Sequence, residues 1–268
     1  MGRYEEIDVS SARTYLAKDR VSKVKTNQEA RPLSAGMTMA DFFRSLPKVL
    51  KADDLKHTAR AVVRARTLKR PVIAMLGGHV IKTGLSPVLG DLAARGFITH
   101  FASNGSACIH DTELARFGHT SEDVASQLED GSFGMARDTA ALVNGAALRA
   151  AEGDEGFGQA VGAMLIEENA PFVNRALLAR AWSLGIPYTL HVAIGTDIVH
   201  QHPDADGSAI GRASMRDFRI FAATVSKLGD GGVVLNLGSA VVMPEVFLKA
   251  LSLARNLGHR VTNFTTAN

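Results

Sequence analysis

The feature that most constrains this chain is its alternation of helix-periodic segments with short, predominantly apolar runs. Pro71–Leu76, Phe97–Ala102, Tyr188–Val192, Val233–Leu237 and Val261–Thr265 read as strands. A strand that is apolar at every position, rather than at every second one, is buried on both faces. Strands of this kind with helices between them predict a parallel sheet covered on both sides, a three-layer Rossmann-like α/β fold. In such sheets ligands bind at the carboxyl ends of the strands.

Three of those strand ends carry Gly beside Gly or Ser: Gly77-Gly78, Gly105-Ser106 and Gly238-Ser239. One such pair is only a tight turn. Three at equivalent positions point to a nucleotide site. Neither GxGxxG nor a P-loop is present, which excludes the ordinary dinucleotide and P-loop modules. The fullest turn is Ser103-Asn104-Gly105-Ser106, followed by His110, Asp111 and Glu113. Glycine lets a backbone approach a ligand closely, and the free N–H groups of the next helix suit an anion. The carboxylates could hold ribose hydroxyls or a cationic substrate. The alternative for them is a helix-start cap and a solvated acid.

Helices are expected from a Thr38 cap onward, over Asp53–Leu68, Ser86–Arg95 and Thr112–Phe117. Further helices are expected over Glu122–Glu152 with a break near Gly131–Gly134, and over Gly156–Glu168 and Pro171–Leu184. The last two are Ser214–Leu228 and Pro244–Asn256. Residues 1–37 are polar and aperiodic and read as an arm that packs on a body or a neighbouring subunit; residues 38–268 read as one domain. At 268 residues the chain can bury a large core, and 25 Gly with 46% apolar residues suit an α/β protein. A formal charge of +3 gives no case for nucleic acid. One cysteine, Cys108, excludes an internal disulfide and fits a reducing cytosol. No apolar run approaches the ~20 residues of a membrane helix, and the N-terminus is not a signal peptide. The expectation is a cytoplasmic protein.

The order of motifs resembles deoxyhypusine synthase and its relatives, from about Pro71 to the end. Met75-Leu76-Gly77-Gly78-His79 looks like the family's first strand and turn, with Gly77, Gly78 and His79 at the positions that touch the cofactor. Ser103 to Ser106 looks like its second turn. Thr196-Asp197 is similar to its Thr-Asp-Gly-Ser, Val233–Val242 to the strand before its triple glycine, and Phe264-Thr265-Thr266-Ala267 to its Ile-Asn-Thr-Ala. A second resemblance is local. Ser103–Glu113 is similar to Ser-Gly-Asn-Ala-Leu-Ala-x-His-Asp-Ile-Glu of archaeal-type ornithine cyclodeaminases, with His110, Asp111 and Glu113 in register.

These resemblances imply NAD as cofactor, with Gly77, Gly78, His79, Ser103, Asn104, Gly105, Ser106, Asp111, Glu113, Asp197, Gly238, Ser239, Thr266 and Ala267 as its contacts. They imply an NAD-dependent enzyme acting on a small cationic amine or amino acid, by aminoalkyl transfer or by deamination through an imine. They also imply a homo-oligomer, a tetramer in the synthases. The departures count against deoxyhypusine synthesis itself. Met243-Pro244-Glu245 stands where the synthase has Lys-His-His, and its lysine lies beyond the point where this sequence stops, which leaves a truncated chain open. Lys249, the nearest lysine, reads as a surface residue of a helix. No catalytic residue is therefore assigned. The competing readings are a non-catalytic relative that kept the fold and a cyclodeaminase-type lyase. His191, His200 and His202 with Asp197, Asp204 and Asp206 form the densest titratable cluster. Zinc or manganese could use such ligands, but Pro203 to Gly207 reads as an exposed loop, and no metal is expected. Cys108 reads as a buried thiol and Glu167-Glu168 as a helix-end acid pair.

Overall fold

The computed structural model describes residues 4–268, so the first three residues of the expected arm lie outside the described residues. Two compact units are present, one ending at His57 and the other spanning Thr58–Asn268. In the first, two single turns (Ala17–Asp19 and Thr26–Gln28) precede helix α1 (Met39–Ser45). The Thr38 hydroxyl accepts from the Asp41 N–H at 3.2 Å, the expected cap. Backbone bonds from Arg31 to Ser45 and from Lys48 to Gln28 tie the segment together. Its apolar side chains Tyr4, Ile7, Val9 and Val21 stay exposed. Helix α2 (Leu50–Thr67) crosses the division between the units, which thus falls beyond residue 37.

The larger unit holds strands β1 (Val72–Leu76), β2 (His100–Ser103), β3 (Tyr188–Leu190), β4 (Val233–Leu237) and β5 (Thr265–Ala267). Helices α3 (Gly78–Lys82) and α4 (Ser86–Ala94) follow β1, and α5 (Gly105–Phe117) follows β2. Next come α6 (Val124–Asp130), α7 (Arg137–Glu152), α8 (Phe157–Glu167) and α9 (Leu177–Ser183). α10 (Gly207–Val225) follows β3, and α11 (Val242–Asn256) follows β4. All strand pairs are parallel, in the order β3-β2-β1-β4-β5. The order runs one way from β1 to β3 and the other way through β4, which makes the gap beyond β1 and β4 the switch point of a doubly wound sheet. Register brings the ends of three strands level: Leu76 pairs with Ser103 of β2 and with Leu237 of β4.

The layers follow from β1. Ile73 and Met75 pack with Phe221, Val225, Met243 and Phe247 of α10 and α11. Ala74 and Leu76 point the other way, into a cluster with Leu89, Cys108, Val143, Val161 and Leu178 from α4, α5, α7, α8 and α9. Successive strand side chains face opposite sides, so an uninterrupted apolar run is what a two-faced core requires. This is the three-layer fold that the sequence predicts. Among the described residues no helix is long and apolar enough to cross a membrane.

Several elements start elsewhere than their periodicity suggests. β2 begins at His100 because the Phe97 N–H closes the end of α4 on Leu92. α5 begins in the glycine turn itself, not at Thr112, because Asn104 caps it. α10 begins at Gly207 rather than Ser214, since Asp206 accepts from the Ser208 and Ala209 N–H groups. Val261 belongs to the core, yet its carbonyl accepts from Arg255, and β5 starts only at Thr265.

Candidate functional site

The turns after β1 and β4 are in backbone contact. The Gly77 N–H donates to the Leu237 carbonyl at 3.0 Å. A Cβ on Gly77 would lie 2.0 Å from the Gly238 carbonyl oxygen, so no other residue fits without moving backbone. Gly238 itself has φ +73°, which favours glycine. The turn after β2 joins them from the side: a Cβ on Gly78 would lie 2.6 Å from Ser106 Oγ and 3.2 Å from His110 Cδ2. Three glycine turns far apart in sequence thus converge at the switch point.

Asn104 organises the start of α5. Its Oδ1 accepts from the Ala107 N–H at 3.4 Å and from Ser106 Oγ at 3.1 Å. Asp197, from the loop after β3, fits over the missing side chain of Gly105, where a Cβ would be 2.0 Å from its Oδ2. The Asp197 side chain is 6% exposed, and Oδ2 has no hydrogen-bond partner. Burial pushes its carboxyl up to about 6. Beside it, His200 Nδ1 accepts from the Gly195 N–H at 3.1 Å and the Asp197 N–H at 3.4 Å. The neutral ring therefore carries its proton on Nε2, 3.9 Å from Asp197 Oδ2.

A cleft of about 230 Å³ opens here, lined by Lys82, Ser106, His110, Glu122, Thr196 and Asp197 among others. Glu113 also reaches it, but both its oxygens are engaged, one with Thr120 Oγ1 at 2.5 Å and one with Thr139 Oγ1 at 3.2 Å. A second cavity, of about 240 Å³, lies at the start of β3 between Trp182, Tyr188 and Gly158 and contains none of the candidate residues.

Some expected contacts sit elsewhere. Asp111 is fully buried and turned away from the cleft; its carboxylate accepts from the Leu177 and Leu178 N–H groups at the start of α9, at 2.9 and 2.8 Å, and from Ser86 Oγ. The cofactor contact expected of it is thereby corrected: both oxygens serve a helix end. Ser239 is also buried, and its Oγ accepts from the Met243 N–H of α11. Thr266 and Ala267 lie on the outer strand opposite Val234 and Leu235, short of the strand ends. His79 is exposed on α3. Ser103 is buried, with its Oγ on the Asn104 carbonyl.

The histidine–aspartate cluster disperses into separate structural contacts. His202 bonds the Gly134 carbonyl, Asp204 accepts from Asn144, Asp206 caps α10, and His191 bonds Thr189. Among the described residues no three His, Cys, Asp or Glu side chains are placed to hold a metal. Lys249 is exposed and paired with Glu245 on its own helix. Cys108 is buried, and burial pushes its thiol up. Glu167 pairs with Arg149 and Glu168 with Arg116. Periodicity gave no sign of Thr120, in the loop after α5, because a single hydroxyl in a polar loop has no pattern.

No protein-family model matches the chain, and no curated protein matches it by sequence. Solved structures do. Unliganded AgrE is 15% identical at a TM-score of 0.50, over 83% of this chain and 32% of that one. A ternary complex of AgrE with ornithine and NAD+ is 15% identical at 0.49, over 77% and 27%. A protein described as a deoxyhypusine synthase from Entamoeba histolytica is 12% identical at 0.45, over 84% and 97%. The chain spans about a third of the length of the AgrE structures. At these identities the likeness is one of fold.

Proposed function

We propose that the chain binds NAD in the switch-point cleft and acts on a small cationic amine or amino acid. The observation that carries this reading is the convergence of three glycine turns beside a cleft in which a buried carboxylate oxygen, Asp197 Oδ2 against Gly105, has no hydrogen-bond partner. A buried acceptor requires a donor, and a ribose hydroxyl or a substrate ammonium supplies one. Phosphate does not suit the start of α5, where Asp197 already places negative charge. The backbone of Gly78 and His79 at the start of α3 is left for the phosphates, with Gly77 and Gly238 giving the close approach, and the Ser103–Ser106 turn with Asp197 for a ribose. NAD when bound supplies a hydride acceptor. Glu122 and Asp197 give the cleft an acidic wall suited to an ammonium group. AgrE, a protein of this fold, has been solved with ornithine and NAD+.

Calorimetry with NAD+ tests the reading. Wild type is expected to bind, and Asp197→Asn to bind roughly 10- to 100-fold more weakly, since a hydrogen bond to a charged group is worth ~1.5–3 kcal/mol. No heat from wild type even at high NAD+ sinks it. An absorbance assay for NADH with putrescine, spermidine, agmatine and ornithine then addresses the substrate. The second reading, a non-catalytic ligand-binding relative, is favoured by Met243-Pro244-Glu245 and by the pairing of Lys249 with Glu245. NAD+ binding without turnover on any of these amines supports it. Self-association, with the N-terminal arm as the contact, is tested by light scattering of the full chain and of a chain lacking residues 1–37.

A further inference from the structure

Glu113, Thr120 and His110 form a hydrogen-bonded series along one wall of the cleft. His110 Nδ1 lies 2.7 Å from Thr120 Oγ1, and that hydroxyl donates to Glu113 Oε2. A hydroxyl has one proton to give. Since Thr120 gives its proton to the carboxylate, it can only accept from His110. This puts the ring proton on Nδ1 and the lone pair on Nε2. Thr139 holds the other carboxylate oxygen, so the far end of the series is fixed as well. The near end is fixed by packing: the ring's Cδ2 edge lies against Gly78, and Ser106 is one helical turn away on the same face of α5.

A carboxylate that orients an imidazole and sets its tautomer is how histidines are prepared for proton transfer. Here a threonine hydroxyl is interposed. Burial, and secondarily the charges of Lys82 and His79 from α3, lower the pKa of the ring, so it is neutral at neutral pH. Asp197 and Glu122 are the other charged groups lining the cleft.

We propose that His110 is the proton-accepting residue of the cleft, held in its Nδ1–H tautomer by Thr120 and Glu113, and that it takes a proton from a substrate ammonium group. In that step the N–H bond of the ammonium breaks and its electron pair stays on the substrate nitrogen. A new N–H bond forms at His110 Nε2, and the imidazolium later returns the proton to water. The lone pair so freed is the one that an amine needs to form an imine. Thr120 and Glu113 are positioning residues. The proposal deepens the amine-enzyme reading and rests on it for the substrate class only.

The test is nitrogen-15 NMR of the histidine rings in the full chain, with the His110 signals identified by their loss in His110→Gln. In wild type the neutral His110 ring is expected to be the Nδ1–H tautomer. Thr120→Val, which removes the acceptor of the ring proton, is expected to shift it toward Nε2–H, and Thr120→Ser to restore it. Amide spectra check that each variant is folded, and the wild-type tautomer decides the matter should a variant fail to fold. An Nε2–H ring in wild type, or a tautomer unmoved by Thr120→Val, overturns the relay. Ornithine and putrescine are the probes for the substrate: a shift of the His110 Nε2 signal supports the ammonium contact, and none with either overturns it. None of these readouts uses NAD, so a protein that fails to bind NAD can still show the relay. Where an amine is turned over, His110→Gln is expected to lower kcat at least ~100-fold, the usual size of a general-base effect.

Discussion

Asp111 and Glu113 stand two residues apart on α5 and serve opposite sides of the molecule. Two residues along a helix is about 200° of turn. Asp111 therefore faces inward and clamps the first N–H groups of α9, with no exposure to solvent. Glu113 faces the cleft and holds two hydroxyls, one of which contacts His110. Asp217 on α10 repeats the inner role, accepting from the Phe157, Gly158 and Leu190 N–H groups. The same side chain type thus works as a structural acceptor for a helix end on one face and as an orienting group on the other. Only the facing of the helix separates the two roles.

The comparison breaks most sharply at the clamps. Asp217→Ala and Asp111→Ala strand buried N–H groups, and each is expected to cost ~3–5 kcal/mol, as loss of one partner of a buried charged contact does. Urea unfolding measures this, and a loss below ~1 kcal/mol would show that the clamps are not structural. Gly105→Ala comes next. Its methyl would overlap the Asp197 carboxylate, and overpacking of this kind costs ~1–3 kcal/mol. If the chain binds NAD+ as proposed, calorimetry is expected to show weaker binding by this variant, which ties the strain to the site.

A smaller effect separates the regions by pH. His100 and His191 are buried, bond Thr189 and are held down to about 3 by burial. Their folded pKa lies below the ordinary 6.5, so the unfolded chain binds protons there that the native state refuses. Stability is present above pH 6.5 and is lost as pH falls toward 3. Asp111 and Asp217, raised by burial to about 6 and about 7, act in the opposite sense: their contribution fades as pH rises from 3.8 through those values. Asp197, raised to about 6, adds to the opposing sense, but below pH 3.8 these acids no longer contribute a change, so urea midpoints are expected to fall between pH 3.8 and 3. His191→Gln should flatten that decline; an unchanged slope would remove the histidines as its cause. The smallest stability effect is expected of Glu113→Gln, under ~1 kcal/mol by urea, since an amide can still accept from a threonine. A cost equal to that of Asp111→Ala would erase the distinction between the two faces.

Much of the architecture was legible in one dimension. The run at Val72–Leu76 is apolar throughout because both faces of a central strand are covered, and that needs no knowledge of the partners. The glycines at 77, 78, 105 and 238 were legible as turns because glycine after a strand has few other uses. Boundaries were harder to read where a polar side chain sets them, as Asn104 does for α5 and Asp206 for α10. Of the candidate site, Ser106, Glu113 and Asp197 line the cleft, whereas Asp111 and Ser239 are consumed by helix starts. Cap and ligand contact draw on the same residue types, so the sequence cannot tell them apart.

The sequence by itself determined the fold class and the placement of glycine turns at the strand ends, because burial on both faces and tight backbone turns leave direct marks on residue type. The tertiary structure alone decided the strand order, the switch point between β1 and β4, and the meeting of Asp197 with Gly105. It also decided which acids face inward and joined Thr120 to His110 and Glu113. Those outcomes depend on helix facing and on contacts between distant segments, and neither is written in the local pattern of residues.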